Sequence, residues 1–282
     1  MTIAVTGATG ELGRLVIDRL KQRVPANEIV ALVRDVHRAG TLGVEARAAD
    51  YTQPDALEAA LAGVDTLLLI SSSEIGQRVA QHTNVINAAK KAGVRRIVYT
   101  SLLHADTSTL SLAPEHVDTE KALQASGLTY TILRNGWYTE NYMGAVGPAL
   151  GLGTLYSSAA DGRIASASRA DYADAAVAVL TGQGHEGKTY ELAGDTAYTL
   201  AELAAEISSQ SGKSIGYQSI PEAAYAAALV KAGLPEGFAA VLASWDVAAS
   251  QGALFDDSRV LSALIGHPTT PLAQSVKAAL AK

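Results

Sequence analysis

MTIAVTGATGELG, residues 1–13, opens with an apolar run at Ile3, Ala4 and Val5, breaks at Gly7, and repeats glycine at Gly10 and Gly13. Leu12, Leu15, Val16 and Leu20 then fall at helical spacing, so the stretch predicts a strand, a tight turn and a helix start. In such a GxxGxxG turn the first glycine permits the turn, the second admits a phosphate close to the backbone, and the third lets helix and strand pack tightly. Unpaired amides of the first helical turn and the helix dipole favour an anion at that end. Gly7, Ala8, Thr9, Gly10, Glu11, Leu12 and Gly13 are therefore the candidate nucleotide cradle, against the plainer alternative of a purely structural glycine turn.

Composition narrows what such a cradle serves. The 282 residues suffice for one large α/β domain or two modest ones, and an apolar content of 48% with mean hydropathy +0.14 implies much interior or interface surface. No apolar run approaches the roughly 20 residues of a membrane span. A net charge of −6 argues against nucleic acid as the main partner. The absence of cysteine excludes disulfides, thiol nucleophiles and Cys-ligated zinc, and six histidines without paired spacing give no reason for a metal or a flavin. A start directly on a strand, with no leader pattern, predicts a cytoplasmic protein.

Outward from the cradle, strands alternate with helices. Glu28 to Val33 is a continuous apolar strand, Val44 to Ala49 a weak one, and Asp65 to Ile70, Arg96 to Ser101 and Thr129 to Arg134 follow, with helices between them. That alternation predicts a doubly wound parallel α/β sheet over residues 1–150. Arg34, just past the second strand, sits where a dinucleotide's adenosine ribose would lie and suits a 2′-phosphate, although neighbouring Asp35 could serve a free hydroxyl instead. Ser71, Ser72 and Ser73 follow the fourth strand at the ligand-binding edge of the sheet, either as partners of the cofactor or as caps of the next helix.

The strand at Thr129 runs into Asn135, Gly136, Trp137, Tyr138, Thr139 and Glu140, a polar and aromatic stretch read as the floor of a substrate pocket, with an interdomain seam as the structural alternative. Gly147 to Gly162 reads as a loop and crossover. Residues 151–282 are expected to form a smaller, mostly helical α/β substrate domain, with some segments returning to the main sheet. Thr199 with Glu202 predicts a capping box, Ser168 with Asp171 another, and Arg169 is an unexpected cation at a helix start. Leu229 to Leu242 and Leu261 to Leu280 read as helices capping the pocket.

TGATGELG (Thr6 to Gly13), LLLISSSE (Leu67 to Glu74), YTSLLHADTS (Tyr99 to Ser108), LRNGWYTENY (Leu133 to Tyr142) and GKTYELAGD (Gly187 to Asp195) together resemble the NmrA-like branch of atypical short-chain dehydrogenases. Within it they are most similar to the bacterial NADPH-dependent quinone oxidoreductases. The resemblance implies a Rossmann domain binding NADPH through Gly7, Gly10, Gly13, Arg34 and Ser71 to Ser73, with a cofactor role for Asn135 to Glu140. One departure bears on mechanism. Typical short-chain dehydrogenases carry Tyr-x-x-x-Lys, whereas Val117 stands four residues before Lys121. Without that phenol a ketone is hard to reduce, but a quinone is electron-poor and yields a stabilised anion, leaving the protein mainly to position it.

The expectation is therefore hydride transfer from NADPH to quinones or similar planar acceptors, by a monomer or homodimer. Tyr138, His104 and Lys121 are the catalytic candidates, while His116 and Glu120, four apart on one helix, read as a surface pair. The alternatives are a redox-sensing NADP(H)-binding regulator without turnover, and a reductase of bulky cationic dyes whose pocket would use acids such as Glu140.

Overall fold

The computed structural model describes residues 1–281. Seven parallel strands form the main sheet in the order β3-β2-β1-β4-β5-β6-β8: β1 (Ile3–Val5), β2 (Ile29–Val33), β3 (Glu45–Ala48), β4 (Thr66–Leu69), β5 (Arg96–Leu102), β6 (Thr129–Asn135) and β8 (Thr189–Leu192). The strands β1, β2 and β4 are buried along their whole length, which is why they read as uninterrupted apolar runs. The order reverses between β1 and β4, the switch point at whose carboxyl edge open α/β sheets bind ligands. The doubly wound Rossmann-like fold expected from the sequence is the fold observed.

Contacts divide the described chain into two units. The first comprises residues 1–106, 112–135 and 169–192 and holds the seven-stranded sheet with α1 (Glu11–Leu20), α2 (Pro54–Ala60), α3 (Arg78–Lys91), α4 (Ala113–Ala125) and α7 (Arg169–Thr181). One side chain cluster of its core joins Leu57, Leu61, Leu67, Leu69, Val85, Ile97 and Tyr99. The second comprises 107–111, 136–168 and 193 onward. Where the sequence suggested one boundary at residue 150, the chain leaves the first unit after Asn135 and rejoins it at Arg169, bringing α7 and β8 back to the sheet.

The second unit departs from the sequence reading in detail. Gly147 to Gly162, expected as loop, contains α6 (Val146–Leu152), ended by Gly153 at φ 68°, and β7 (Thr154–Ser157), which pairs in parallel with β9 (Gly216–Ser219). The glycine and alanine content hid a strand whose buried positions are only Leu155 and Ser157. The expected helix from Leu229 to Leu242 is two, α9 (Glu222–Lys231) and α10 (Glu236–Ser250), because Gly233 takes φ 100° and Pro235 starts the second. Likewise α11 (Val260–Ile265) and α12 (Leu272–Leu280) are separated by Gly266 and Pro271. The capping box of α8 (Leu200–Ser211) forms as read, with Thr199 and Glu202 exchanging hydrogen bonds. Five-residue α5 (Thr139–Met143) completes the elements.

Candidate active site

The glycine turn shows why glycine stands at its ends. Gly7 takes φ 56°, where a side chain is strained, and a Cβ on Gly13 would lie 2.7 Å from the Ala8 Cα and run into the Gly7 carbonyl. Gly10 donates its N–H to the Gly7 carbonyl at 2.9 Å and caps α1 with no side chain of its own. The first amides of α1 thus face solvent beside exposed Gly7, Gly10 and Glu11, with Thr9 half-buried and Ala8 and Leu12 packed inward. Such an end accepts an anion. Arg14 braces the turn, its Nε donating to the Thr9 carbonyl at 3.0 Å and its Nη1 to Thr41 Oγ1 at 3.1 Å, a tether that the sequence reading missed. Arg169 loses its oddity here: its Nε lies 3.1 Å from Glu11 Oε2 at the start of α1.

The two contenders at the end of β2 differ in their local partners. Asp35 Oδ1 accepts the His37 N–H at 2.9 Å and so caps a short 3₁₀ turn. Arg34 projects into solvent and meets Glu74 Oε1 at 2.9 Å, while Gln81 Nε2 donates to the other Glu74 oxygen at 2.7 Å. An exposed ion pair contributes only about 0–1 kcal/mol, so a phosphate dianion can displace the carboxylate from Arg34. The serines are mostly busy locally. Ser71 N–H donates to Thr100 Oγ1 at 2.9 Å, and Ser72 Oγ accepts the Glu74 N–H at 3.1 Å, while Ser73 is exposed.

Behind the serines lies a polar interior, and it contains His116 and Glu120, which the sequence suggested as a surface pair. Ser72 N–H donates to His82 Nε2 at 2.9 Å, so Nδ1 carries the proton and donates to Thr119 Oγ1 at 3.0 Å, which in turn donates to the Glu115 carbonyl at 2.8 Å. Tyr99 Oη and His116 Nδ1 share a hydrogen bond of 2.8 Å. Burial, reinforced by the Arg78 charge, pushes both imidazoles down to about 3. Glu120 is also buried, gripped by Nη2 and Nε along one edge of the Arg134 guanidinium at 2.8 and 3.0 Å and by the Ser101 hydroxyl at 2.5 Å. His116 and Glu120 are therefore interior anchors of α4 and not a surface pair: their face of the helix turns towards β5 and β6. Apolar periodicity alone gave no sign of this.

Of the catalytic candidates, Lys121 is exposed and paired with Asp118 at 3.5 Å on the outside of α4. His104 is half-buried with φ 50°, its backbone N–H held by Glu191 Oε2 at 2.8 Å and its Nδ1 3.6 Å from the same oxygen. Asn135 ends β6 with both side-chain amide atoms buried and unpartnered. In the second unit, Trp137 meets Trp245 edge-on with ring centres 5.4 Å apart, and Tyr138 forms a bridge with Ala167 just before α5. Gly136 and Thr139 are buried, the latter bonded to Ser166 Oγ at 2.8 Å, and Glu140 is exposed. The described residues hold no group of three or more potential metal ligands and no helix long and apolar enough to cross a membrane.

Comparison with known proteins accords with this geometry. Residues 7–183 match the model of a family described as NAD(P)H-binding. The chain belongs to this family. It is 60% identical to quinone oxidoreductase 2 of Escherichia coli, covering 97% of each chain, and superposes on the crystal structure of that NADPH-dependent enzyme complexed with NADPH with a TM-score of 0.97, over 99% of this chain and all of the other. A triphenylmethane reductase of Citrobacter sp., complexed with NADP(H), gives 42% identity and a TM-score of 0.96 over 99% of this chain and all of that one. An NmrA-like family domain-containing oxidoreductase of Aspergillus flavus is 32% identical over 76% of this chain and 73% of its own length, so the NmrA-like likeness holds as well. The glycine turn at the start of the matched region and the strand order are in keeping with that family.

Proposed function

We propose that this chain is an NADPH-dependent oxidoreductase that reduces quinones and similar planar acceptors, acting in the cytoplasm as a monomer or homodimer. The observation that carries the reading is near-full-length identity of 60% to a quinone oxidoreductase, joined to a cradle and an arginine that fit the cofactor. When bound, NADPH supplies a hydride. The amides of Glu11, Leu12 and Gly13 would hold its pyrophosphate, the narrow approach at Gly10 admitting the phosphate. Arg34, released from Glu74, would hold the 2′-phosphate, while Asp35 caps the short turn that follows. The orphaned amide of Asn135 has a donor and an acceptor to give to a carboxamide.

Trp137 and Tyr138 would orient a flat acceptor, and positioning supplies most of the catalysis because the hydroquinone anion is stable enough to be protonated after hydride arrives. Purified protein with NADPH and a simple quinone should oxidise NADPH at 340 nm well above the enzyme-free rate. Tight NADPH binding with no turnover of any acceptor would return the chain to the regulator reading. A second reading, reduction of cationic triarylmethane dyes, is favoured by the 42% identity to the Citrobacter enzyme and by exposed Glu140 three residues from Trp137. It predicts faster turnover of crystal violet than of an uncharged quinone.

A further inference from the structure

Asp246, on α10 of the second unit, is only 8% exposed, and among the described residues it meets no cation. The hydrogen bond it accepts is a long one, 3.3 Å from the Ser158 N–H, with Ser157 beside it. Phenols converge on this carboxyl from three other elements, Tyr142 of α5, Tyr217 of β9 and Tyr225 of α9, each raised by burial and further by the Asp246 charge. The hydroxyls of Tyr142 and Tyr225 take no hydrogen bond among the described residues, and the Ser158 hydroxyl is buried without a partner. Tyr217, which also feels Asp161, is different: its hydroxyl donates to the Ala160 carbonyl at 2.9 Å and accepts from Ser157 Oγ at 2.9 Å.

A buried acid that serves only the fold is normally satisfied by neighbours, because an unpaired one costs stability. Asp246 is instead surrounded by groups with hydrogen-bonding capacity left over. Its sequence neighbour Trp245 stands edge-on to Trp137 and to Phe238, at 5.4 and 6.5 Å, and α9 carries apolar Ala, Leu and Val with none of its residues buried. Aromatic edges, an open apolar helix and unsatisfied hydroxyls around one acid together fit a flat aromatic ligand bearing an oxygen.

We infer that Asp246 is the acid of the acceptor site: protonated, it donates a hydrogen bond to an acceptor oxygen also met by the Tyr142 and Tyr225 hydroxyls, and it gives that oxygen its proton. This rests on the quinone-reductase reading. The quinone gains a hydride, which brings two electrons and one hydrogen, and then the Asp246 proton, and leaves as neutral hydroquinone. The carboxylate left behind recovers a proton from water, with Ser157 Oγ and Tyr217 Oη lying between it and the exposed Ala160 carbonyl. Burial pushes the Asp246 carboxyl up to about 6, so a useful share of molecules carries the proton near neutrality. The phenols around it are raised away from that range and do not titrate there.

The test uses the full chain saturated with NADP+, which prevents turnover, and follows menadione binding by tryptophan quenching between pH 5 and 8. Affinity is expected to fall about tenfold across that interval with an inflection near 6, to lose its pH dependence in Asp246→Asn, and to weaken severalfold in Tyr142→Phe. The NADPH dissociation constant should stay unchanged in both variants, and Asp246→Asn should lower kcat for menadione at least tenfold at pH 6. An unaltered pH profile in Asp246→Asn, or wild-type protein that binds no menadione, overturns the assignment. Wild-type turnover with an unimpaired Asp246→Asn would do so while leaving the quinone reading intact. Conversely, Asp246-dependent binding without any wild-type turnover would sink the reductase reading alone.

Discussion

Glu120 in the first unit and Asp246 in the second are both nearly inaccessible, at 5% and 8% exposure, yet their surroundings are opposite. Glu120 receives two guanidinium hydrogen bonds from Arg134 and one from Ser101; Arg134 is itself also bound by Glu191 at 2.8 Å and Asp106 at 3.0 Å. Its partners, Glu120 first, raise the already high Arg134 pKa further, which keeps the guanidinium charged at any working pH. Asp246 has a backbone amide, a serine and a ring of phenols. The contrast separates two uses of a buried acid: one ties β5, β6, β8 and α4 together, while the other is held in a state from which it can exchange a proton.

The sharpest way to break that contrast is Glu120→Ala. It leaves Arg134 buried without its fork and should cost about 3–5 kcal/mol in urea unfolding, whereas a loss under about 1 kcal/mol would make the cluster decorative. Next in size is acid sensitivity of the first unit. His82 and His116 are held near 3 when folded but titrate near 6.5 unfolded, so the unfolded chain binds more protons as pH falls below 6.5. Stability should drop by about 2 kcal/mol per imidazole at pH 5, and NMR should find both rings neutral there. An imidazole titrating near 6.5 would refute it.

Asp246 runs the other way. Its folded value of about 6 lies above the ordinary 3.8, so its contribution favours the folded state at low pH and turns into a penalty as pH rises from 4 to 7. Asp246→Asn should therefore stabilise the protein by about 3 kcal/mol at pH 7, the gain vanishing near pH 4. A destabilised variant at neutral pH would place Asp246 with Glu120 as an anchor. The smallest effect is expected at the surface: Arg34→Ala should weaken NADPH about tenfold while leaving NADH nearly unchanged, as loss of one charge-assisted contact worth about 1.5 kcal/mol implies. Equal weakening of both cofactors would remove the 2′-phosphate role.

How much of this was readable in the chain follows from the physics of each signal. The glycine turn and the buried strands were legible because glycine spacing and uninterrupted apolar runs report local backbone demands directly. Arg34 and Asp35 were legible by position as contenders, but the cap that Asp35 makes was not, being a matter of local geometry. His82, His116, Glu120 and Asp246 were invisible as interior groups. Polar side chains count as surface in any periodicity argument, and their burial is allowed only by partners far away in sequence, such as Arg134 for Glu120. The β7 strand was lost for a related reason: in its sequence Thr-Leu-Tyr-Ser the serine is buried and the tyrosine exposed, so apolar character does not mark the alternating face.

The sheet's last strand, β8, comes after the chain has spent residues 136–168 in the other unit. During synthesis the nucleotide-binding half therefore waits, with β6 as a raw edge open to misplaced pairing, until residue 192 has left the ribosome. Cutting the gene at the end of β6 would yield an aggregation-prone fragment instead of a miniature cofactor binder.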